Sequence, residues 1–444
     1  VAYDLFMRRV AIIGSGIAGL AAAHGLLRAG YAVTLYSDRT AEQWLDDSRP
    51  TGTAARFPMA LAYERELGLD HWNDVSSRGE GVFLTFCPTL HKQLIRLIGR
   101  GAFQAVDVRL QSARWMNDFA SRGGRLIIEA VDVDRLDAIA AEHELTIVAA
   151  GRASLSRLFP RDATRSIYTE PRRNLAMIIT RGGRMGFDGC PFLPVKFEFL
   201  GTDGEAFFVP YHHKDHGPTW NMLFEPKPGS RMDRFAHARS GAEALAIAKT
   251  VMRELFPWNE EWMRPMELAD ENGWLTGSVT PTVRQPVARL ASGRLVTSLG
   301  DTSISYDPIA AQGANSGIKQ ARHLVESIVA RGERPFDAQW MTTTFDDFYE
   351  THAHAAGMFS NLFLEPITSA AQEILIAQFG SDGRADNDSP RQRIANAFFA
   401  NFNDPRELTD ALIDTRRARR FIASMTGRPW LYSAIRGRAA VLLG

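Results

Sequence analysis

Residues 8–39 read RRVAIIGSGIAGLAAAHGLLRAGYAVTLYSDR, and few folds accept such a segment. Val10 to Ile13 form an apolar run that predicts a buried strand. Gly14-Ser15-Gly16-Ile17-Ala18-Gly19 follows it and opens a helical pattern that Gly30 closes as a C-terminal cap. Residues 31–36 then alternate as a second strand. Three glycines in six positions are a weak signal alone, but strand before and helix after are the context that G-x-G-x-x-G requires. Gly14 permits the tight turn, Gly16 lets a pyrophosphate approach the backbone, and Gly19 lets helix and strand pack closely. A Rossmann-like α/β unit that takes a dinucleotide is therefore expected.

The remainder divides by pattern. RWMNDFASRGGRLIIEA and HELTIVAAGRASL continue the α/β unit. From about Asn174 to Glu225 the segments NLAMIIT, VKFEFLG, EAFFVPY and TWNMLFE alternate between Gly, Asp and Pro, which predicts an antiparallel sheet. Val195, Phe197 and Phe199 share one face of it, with Lys196 and Glu198 on the other. Helical patterning resumes near Ala242, RLVTSLGD is a last strand, and residues after about 336 are helical and rich in Phe and Ala. The chain of 444 residues is long enough for two or three domains. Lys plus Arg equals Asp plus Glu at 51 each, so no global field recruits nucleic acid or an acidic membrane. The two cysteines, Cys87 and Cys190, argue against a disulfide framework and fit a reducing cytosol. No stretch approaches the ~20 apolar residues of a membrane span. VAYDLFMRR lacks the features of a signal peptide, and Met7 is an alternative start.

A second glycine-rich stretch, GDTSISYDPIAAQGANSG at 300–317, leads into a helix whose apolar positions are Ile318, Ala321, Leu324, Val325 and Ile328. Its first turn is Gly and Ala, so unpaired N–H groups there suit an anion or an electron-rich oxygen. Asp38 lies about where an acid should grip a ribose, although Ser37 is the residue that ends the strand. Arg39 beside it meets a phosphate or is solvated.

Taken in order, the fingerprint, VTLYSDR, ARWMNDFASRGG, VAAGRASL, LGDTSISYDPIAAQGAN and NFNDPRE resemble the styrene and indole monooxygenases, the FAD-dependent oxygenase components of two-component systems. The likeness spans most of the chain and is weakest in the substrate sheet. It implies an aromatic-hydroxylase type of fold. The FAD-binding domain would be 7–170 with 285–335, the substrate-binding domain 171–284, and the helical C-terminal region 336–444. A separate NAD(P)H-dependent flavin reductase would deliver reduced FAD. Oxygen would pass from a flavin C4a-hydroperoxide to a small apolar aromatic or alkenyl substrate, by epoxidation or hydroxylation, with no catalytic side chain required. The resemblance places Gly14, Ser15, Gly16, Ile17, Ala18, Gly19, Ser37, Asp38 and Arg39 around the nucleotide. Gly300 and Asp301 would face the ribityl chain. Pro308, Gly313, Ala314 and Asn315, in the 307–315 loop, would face the flavin ring. Arg109 matches a position near the flavin phosphates, the alternative being a solvated or core-flanking role. Arg152 and Ser154 fall at a turn between cofactor and substrate domains. A cytoplasmic protein is implied, and a homodimer is left open.

The chain departs from the family at WLDDSRPTGTAARFPMA, residues 44–60, which is longer and lacks an Asn. Arg56 there greets a carboxylate or carbonyl on the substrate or, the favoured reading, pairs with Asp46 or Asp47 on the surface. His212, His213, Asp215 and His216 sit in a hairpin loop without a second shell, which argues against a metal. TRRARR at 415–420 reads as a solvated helix face, with docking of an acidic reductase the alternative. Trp72, Trp220 and Trp274 read mostly as core. The halogenase Trp-x-Trp-x-Ile-Pro signature is absent. Two rivals remain: a single-component NAD(P)H-dependent aromatic hydroxylase and a flavin-binding protein that does not oxygenate.

Overall fold

A computed structural model describes residues 7–76, 78–87, 95–151 and 153–443. In it the described residues build two large sheets that share a cleft, and a third of only two strands. The first uses β1 (Arg9–Ile13), β2 (Ala32–Ser37), β5 (Arg125–Ile128), β6 (Leu145–Val148), β14 (Val287–Arg289) and β15 (Leu295–Ser298), ordered β14-β15-β6-β1-β2-β5. All pairs are parallel except β14 with β15. Parallel strands need covered faces. Helices Ile17–Arg28, Val108–Ser121 and Gln312–Arg331 cover one side with Leu20, Trp115 and Ile318. The Val133–Glu142 helix covers the other with Leu136 and Ile139. This is the α/β unit expected from the fingerprint.

The second sheet joins β3 (Gly79–Cys87), β4 (Ile95–Phe103), β7 (Asn174–Arg181), β8 (Val195–Leu200), β9 (Gly204–His213), β10 (Gly217–Pro226) and β11 (Glu267–Leu268), ordered β11-β7-β10-β9-β8-β3-β4. Strand β12 (Trp274–Ser278) also pairs with β7. The four strands expected between 174 and 225 all form. The sequence-based boundaries need one correction, since β3 and β4 lie within 7–170 yet pair into this second sheet, β3 running parallel to β8. The link is β8, which pairs with β3 from about a hundred residues downstream, and local pattern does not reveal it.

Alternation decides what each face does. Phe197, Phe207, Val209 and Leu223 point to one side and pack with Phe359, Phe398, Phe399 and Phe402 of the C-terminal helices. Phe208, Trp220, Met222 and Phe224 point to the other, under the Gly241–Leu255 helix. Val195, Phe197 and Phe199 do share a face. Lys196 and Glu198 take the opposite one, but that face is buried too, so they meet as an ion pair at 2.7 Å. Trp258 and Asn259 donate to the same Glu198 carboxylate, which supplies the partners a buried charge needs. No helix among the described residues is long and apolar enough to cross a membrane.

Candidate functional site

A cavity of about 690 Å³ runs between the two sheets, from the carboxyl ends of β1 and β2 to the apolar face of the second sheet. Open α/β sheets bind ligands at that end of their strands. Gly14, with φ of +117°, makes the turn out of β1, and a Cβ there would strike the Ala149 carbonyl oxygen. A Cβ on Gly19 would strike the Gly14 carbonyl oxygen, so this glycine permits helix and strand to touch rather than lining the cavity. A Cβ on Gly16 would meet nothing within 4 Å, because it points into the open cleft.

The second glycine-rich stretch arrives at the same place. The Gln312–Arg331 helix starts beside the start of the Ile17–Arg28 helix, and Ala18, Gly300 and Gly317 are small enough for the two to close on each other. Neither helix carries an acid in its first turn. Two positive helix termini thus converge on one cavity, where Gly313 and Ala314 line it with Ile17 and Ala18. Gln320 holds the Gly300 turn by accepting from the Gly300 N–H at 2.9 Å. Asp301 opens onto the cavity, yet the surrounding protein desolvates it and raises its pKa, with the nearby Arg284 acting against the rise. Pro308 and Ile309 line the cavity from a short turn that ends at Ala311.

Not every expected residue faces the cleft. Ser37 is fully buried and bonds Ser15 Oγ at 2.7 Å, so Asp38 and Arg39 are the lining residues at the end of β2. Arg39 is not a free cation there, since it pairs with Asp38 at 2.9 Å, donates to Ser48 and lies over the Trp44 ring. Asn315 is also fully buried. Its amide oxygen accepts from the Phe57 N–H and its nitrogen donates to the Ala55 and Ala311 carbonyls, which ties the 54–57 segment to the helix start. Arg109 is the largest correction. Its side chain is buried in bonds to Asp107 and Asp270, away from the cavity lining. Burial opposes its charge, but those carboxylates hold it firmly protonated. Asp270 accepts from His213 as well, at 2.6 Å, and these bonds outweigh burial to push its pKa down. His213 is thereby part of a structural cluster. Arg56 corrects likewise: it is buried and pairs with Glu64 at 2.5 Å, not with Asp46 or Asp47. Arg152 lies outside the described residues, and Ser154 is exposed outside the lining while its neighbours Gly151 and Leu155 line the cavity.

Sequence reasoning missed the far half of the cavity. Val82, Phe103, Met177, Phe207, Phe399 and Phe402 wall it with apolar surface. The strand alternation pointed to such a face but not to what it would meet. Thr51 to Ala55 and Phe57 also line it, so the divergent 44–60 segment reaches the site. Ala54 and Ala311, the only non-glycine residues with positive φ among those described, both lie in this wall. Backbone strain of that kind gathers at functional sites.

Residues 151–262 match a family model described as "Styrene monooxygenase A putative substrate binding domain". The match falls on the sheet, where the motif likeness is thinnest. Styrene monooxygenase StyA of Pseudomonas fluorescens is 26% identical over 419 residues, 92% of this chain and 96% of that protein, and the counterpart from Pseudomonas sp gives the same figures. Among solved structures, the flavin-dependent brominase Bmp2 superposes with a TM-score of 0.59 at 14% identity, over 80% of this chain and 86% of that one. For the tetrameric form of 2-methyl-3-hydroxypyridine-5-carboxylic acid oxygenase the values are 0.53, 17%, 88% and 96%. These likenesses show the fold, and the chain is styrene monooxygenase-like along nearly its whole length.

Proposed function

We propose that this styrene monooxygenase-like chain is the oxygenase component of a two-component, FAD-dependent monooxygenase acting on a small, neutral aromatic or alkenyl substrate. The observation that carries the reading is the continuity of the cavity, from glycine turn and helix termini at one end to an aromatic chamber at the other. The residues present fit FAD. Gly14 to Ala18 would take the pyrophosphate, Asp38 the ribose side and Asp301 the ribityl hydroxyls. The turn from Pro308 and the start of the 312–331 helix would lie along the ring. FAD supplies the oxygen-transfer chemistry when bound and reduced.

The chain's own part is to bind, orient and keep dry. Phe197, Phe207, Phe399 and Phe402 offer apolar walls on which a flat substrate can rest. An apolar chamber excludes water, which guards a reactive cofactor against side reactions. Among the described residues lining the cavity the one Lys or Arg is Arg39, at the glycine-turn end, while Arg56 and Arg109 are both committed to carboxylates. A neutral substrate fits this wall, and a carboxylated one does not. The test supplies the chain with FAD, NADH and a separate flavin reductase, then screens alkenes, sulfides and indoles by product mass. Products one oxygen heavier are expected. No product from any of them, even with chemically reduced FAD, would leave a non-oxygenating flavin binder as the better reading.

A further inference from the structure

Directly behind the Pro308 turn lies a carboxyl pair that the site as described does not use. Glu225, on β10, and Asp307, the residue before Pro308, are both fully buried and within hydrogen-bonding reach of each other. Asp307 Oδ1 accepts from the Ile309 N–H at 3.1 Å and so caps the turn. Its Oδ2 and both oxygens of Glu225 have no donor among the described residues. The charged groups around them are Glu205, opposite Glu225 on β9, then Arg173 and Lys227. Arg173 has nothing left to give: its five N–H groups go to both Glu205 oxygens and to the carbonyls of Arg172, Phe363 and Leu364. Lys227 donates to the Gly201 carbonyl at 2.5 Å. Two carboxylates in contact without a cation or donor cannot both be ionised.

We propose that Glu225 and Asp307 share a single proton, with neutral Glu225 donating to Asp307, and that this bond positions the Pro308–Ala311 turn of the cavity. The assignment follows from the caps: Asp307 needs its negative oxygen to hold the Ile309 N–H, whereas Glu225 bonds nothing else. Burial raises the pKa of both groups, Glu225 the further. Loss of the proton would set two negative charges against each other beneath the turn. Pro308, Ile309 and Ala311 line the cavity, so the turn would shift where the ring is proposed to lie. Only this last consequence rests on the FAD reading.

Infrared spectra of the purified chain before FAD is added test the pair directly. At neutral pH the wild type should show the carbonyl stretch of a neutral carboxylic acid, and Glu225→Gln should lack it. Gln keeps the shape and the donor, so the fold should hold. Asp307→Asn should shift or remove the same band and serves if the first variant misfolds. The sign of the linkage gives a second readout. The folded chain keeps a proton that the unfolded chain releases above the ordinary glutamate value of 4.5, so this group's share of stability falls as pH rises. The melting temperature of Glu225→Gln should therefore gain on the wild type with increasing pH. If Glu225→Gln removes a carboxylate signal instead of an acid signal, Glu225 is ionised and the proposed assignment is wrong. With reduced FAD added, wild-type affinity should drop several-fold where the acid band titrates away, and Glu225→Gln should stay flat. A titrating band with unchanged affinity would overturn the positioning role. If FAD binds neither protein while the band behaves as stated, the pair stands and the FAD reading falls.

Discussion

Single atoms decide much at this site. Gly16 is the clearest case, because its missing Cβ is empty space inside the cleft and not a packing need. Gly16→Val should therefore fold, at an unchanged melting temperature to within a few degrees, yet lose FAD binding, with flavin fluorescence titration as the measurement. Retained affinity in the folded variant would remove the pyrophosphate from this turn. The contrast with Gly14 and Gly19 is instructive, since a Cβ at either would strike backbone. Substitution there should unfold the β1 turn before any ligand is consulted.

Between elements, two devices carry the argument. Asp107, Arg109, Asp270 and His213 tie the start of the 108–121 helix to the β9–β10 hairpin and the loop before β12. Arg109→Ala would strand buried carboxylates, and breaking such a cluster costs about 3–5 kcal/mol. Denaturant melts should show that loss, while FAD affinity of the folded fraction stays within about threefold. A large drop in affinity at unchanged stability would return Arg109 to the cofactor. The second device is the pair of converging helix starts. Reduced flavin is expected to be anionic, and charge at a helix terminus is worth about 0.3–1 kcal/mol, up to ~2 when partly buried. Reduced FAD should thus bind several-fold to about thirtyfold tighter than oxidised FAD. Anaerobic titration of both forms measures the ratio, and equal affinities would mean the 312–331 helix does not serve the ring.

Over the whole molecule, strands β3 and β4 leave the first unit, join the second sheet and return, so the two sheets are laced together around the cleft. A dinucleotide fingerprint occurs once in the sequence, and on the proposed reading the cavity beside it would take one cofactor and one substrate. The purified chain should accordingly leave NADH unconsumed, and should turn over only when a separate reductase and FAD are present. An NADH oxidation assay on the chain alone is the check. Rapid consumption would favour a single-component hydroxylase on the same fold.

The local signals were strong where chain neighbours do the work. Strand, glycine turn and helix at 9–28, the alternation at 174–225 and the helix after 312 are each set by the order of a few residues, because sterics and periodicity act over short range. Alternation even named the face of Val195 and Phe197. It did not tell that Lys196 and Glu198 would be buried as well, since that depended on Trp258 and Asn259 arriving from elsewhere. The same holds for Ser37, Asn315 and Arg109, whose types allowed a cofactor role, and for Arg56, whose type allowed a substrate contact: partners, some distant in sequence, hold these side chains within the protein. Glu225 and Asp307 are 82 positions apart and no motif links them, so only the fold could bring them together without a cation. Sequence alone determined the strand, turn and helix at 9–28, the four strands between 174 and 225 and the helix after 312, and with them which end of the first sheet carries the glycine turn. Tertiary structure decided which side chains reach the cavity, because a polar group goes where its bonds are satisfied and burial leaves it no other choice.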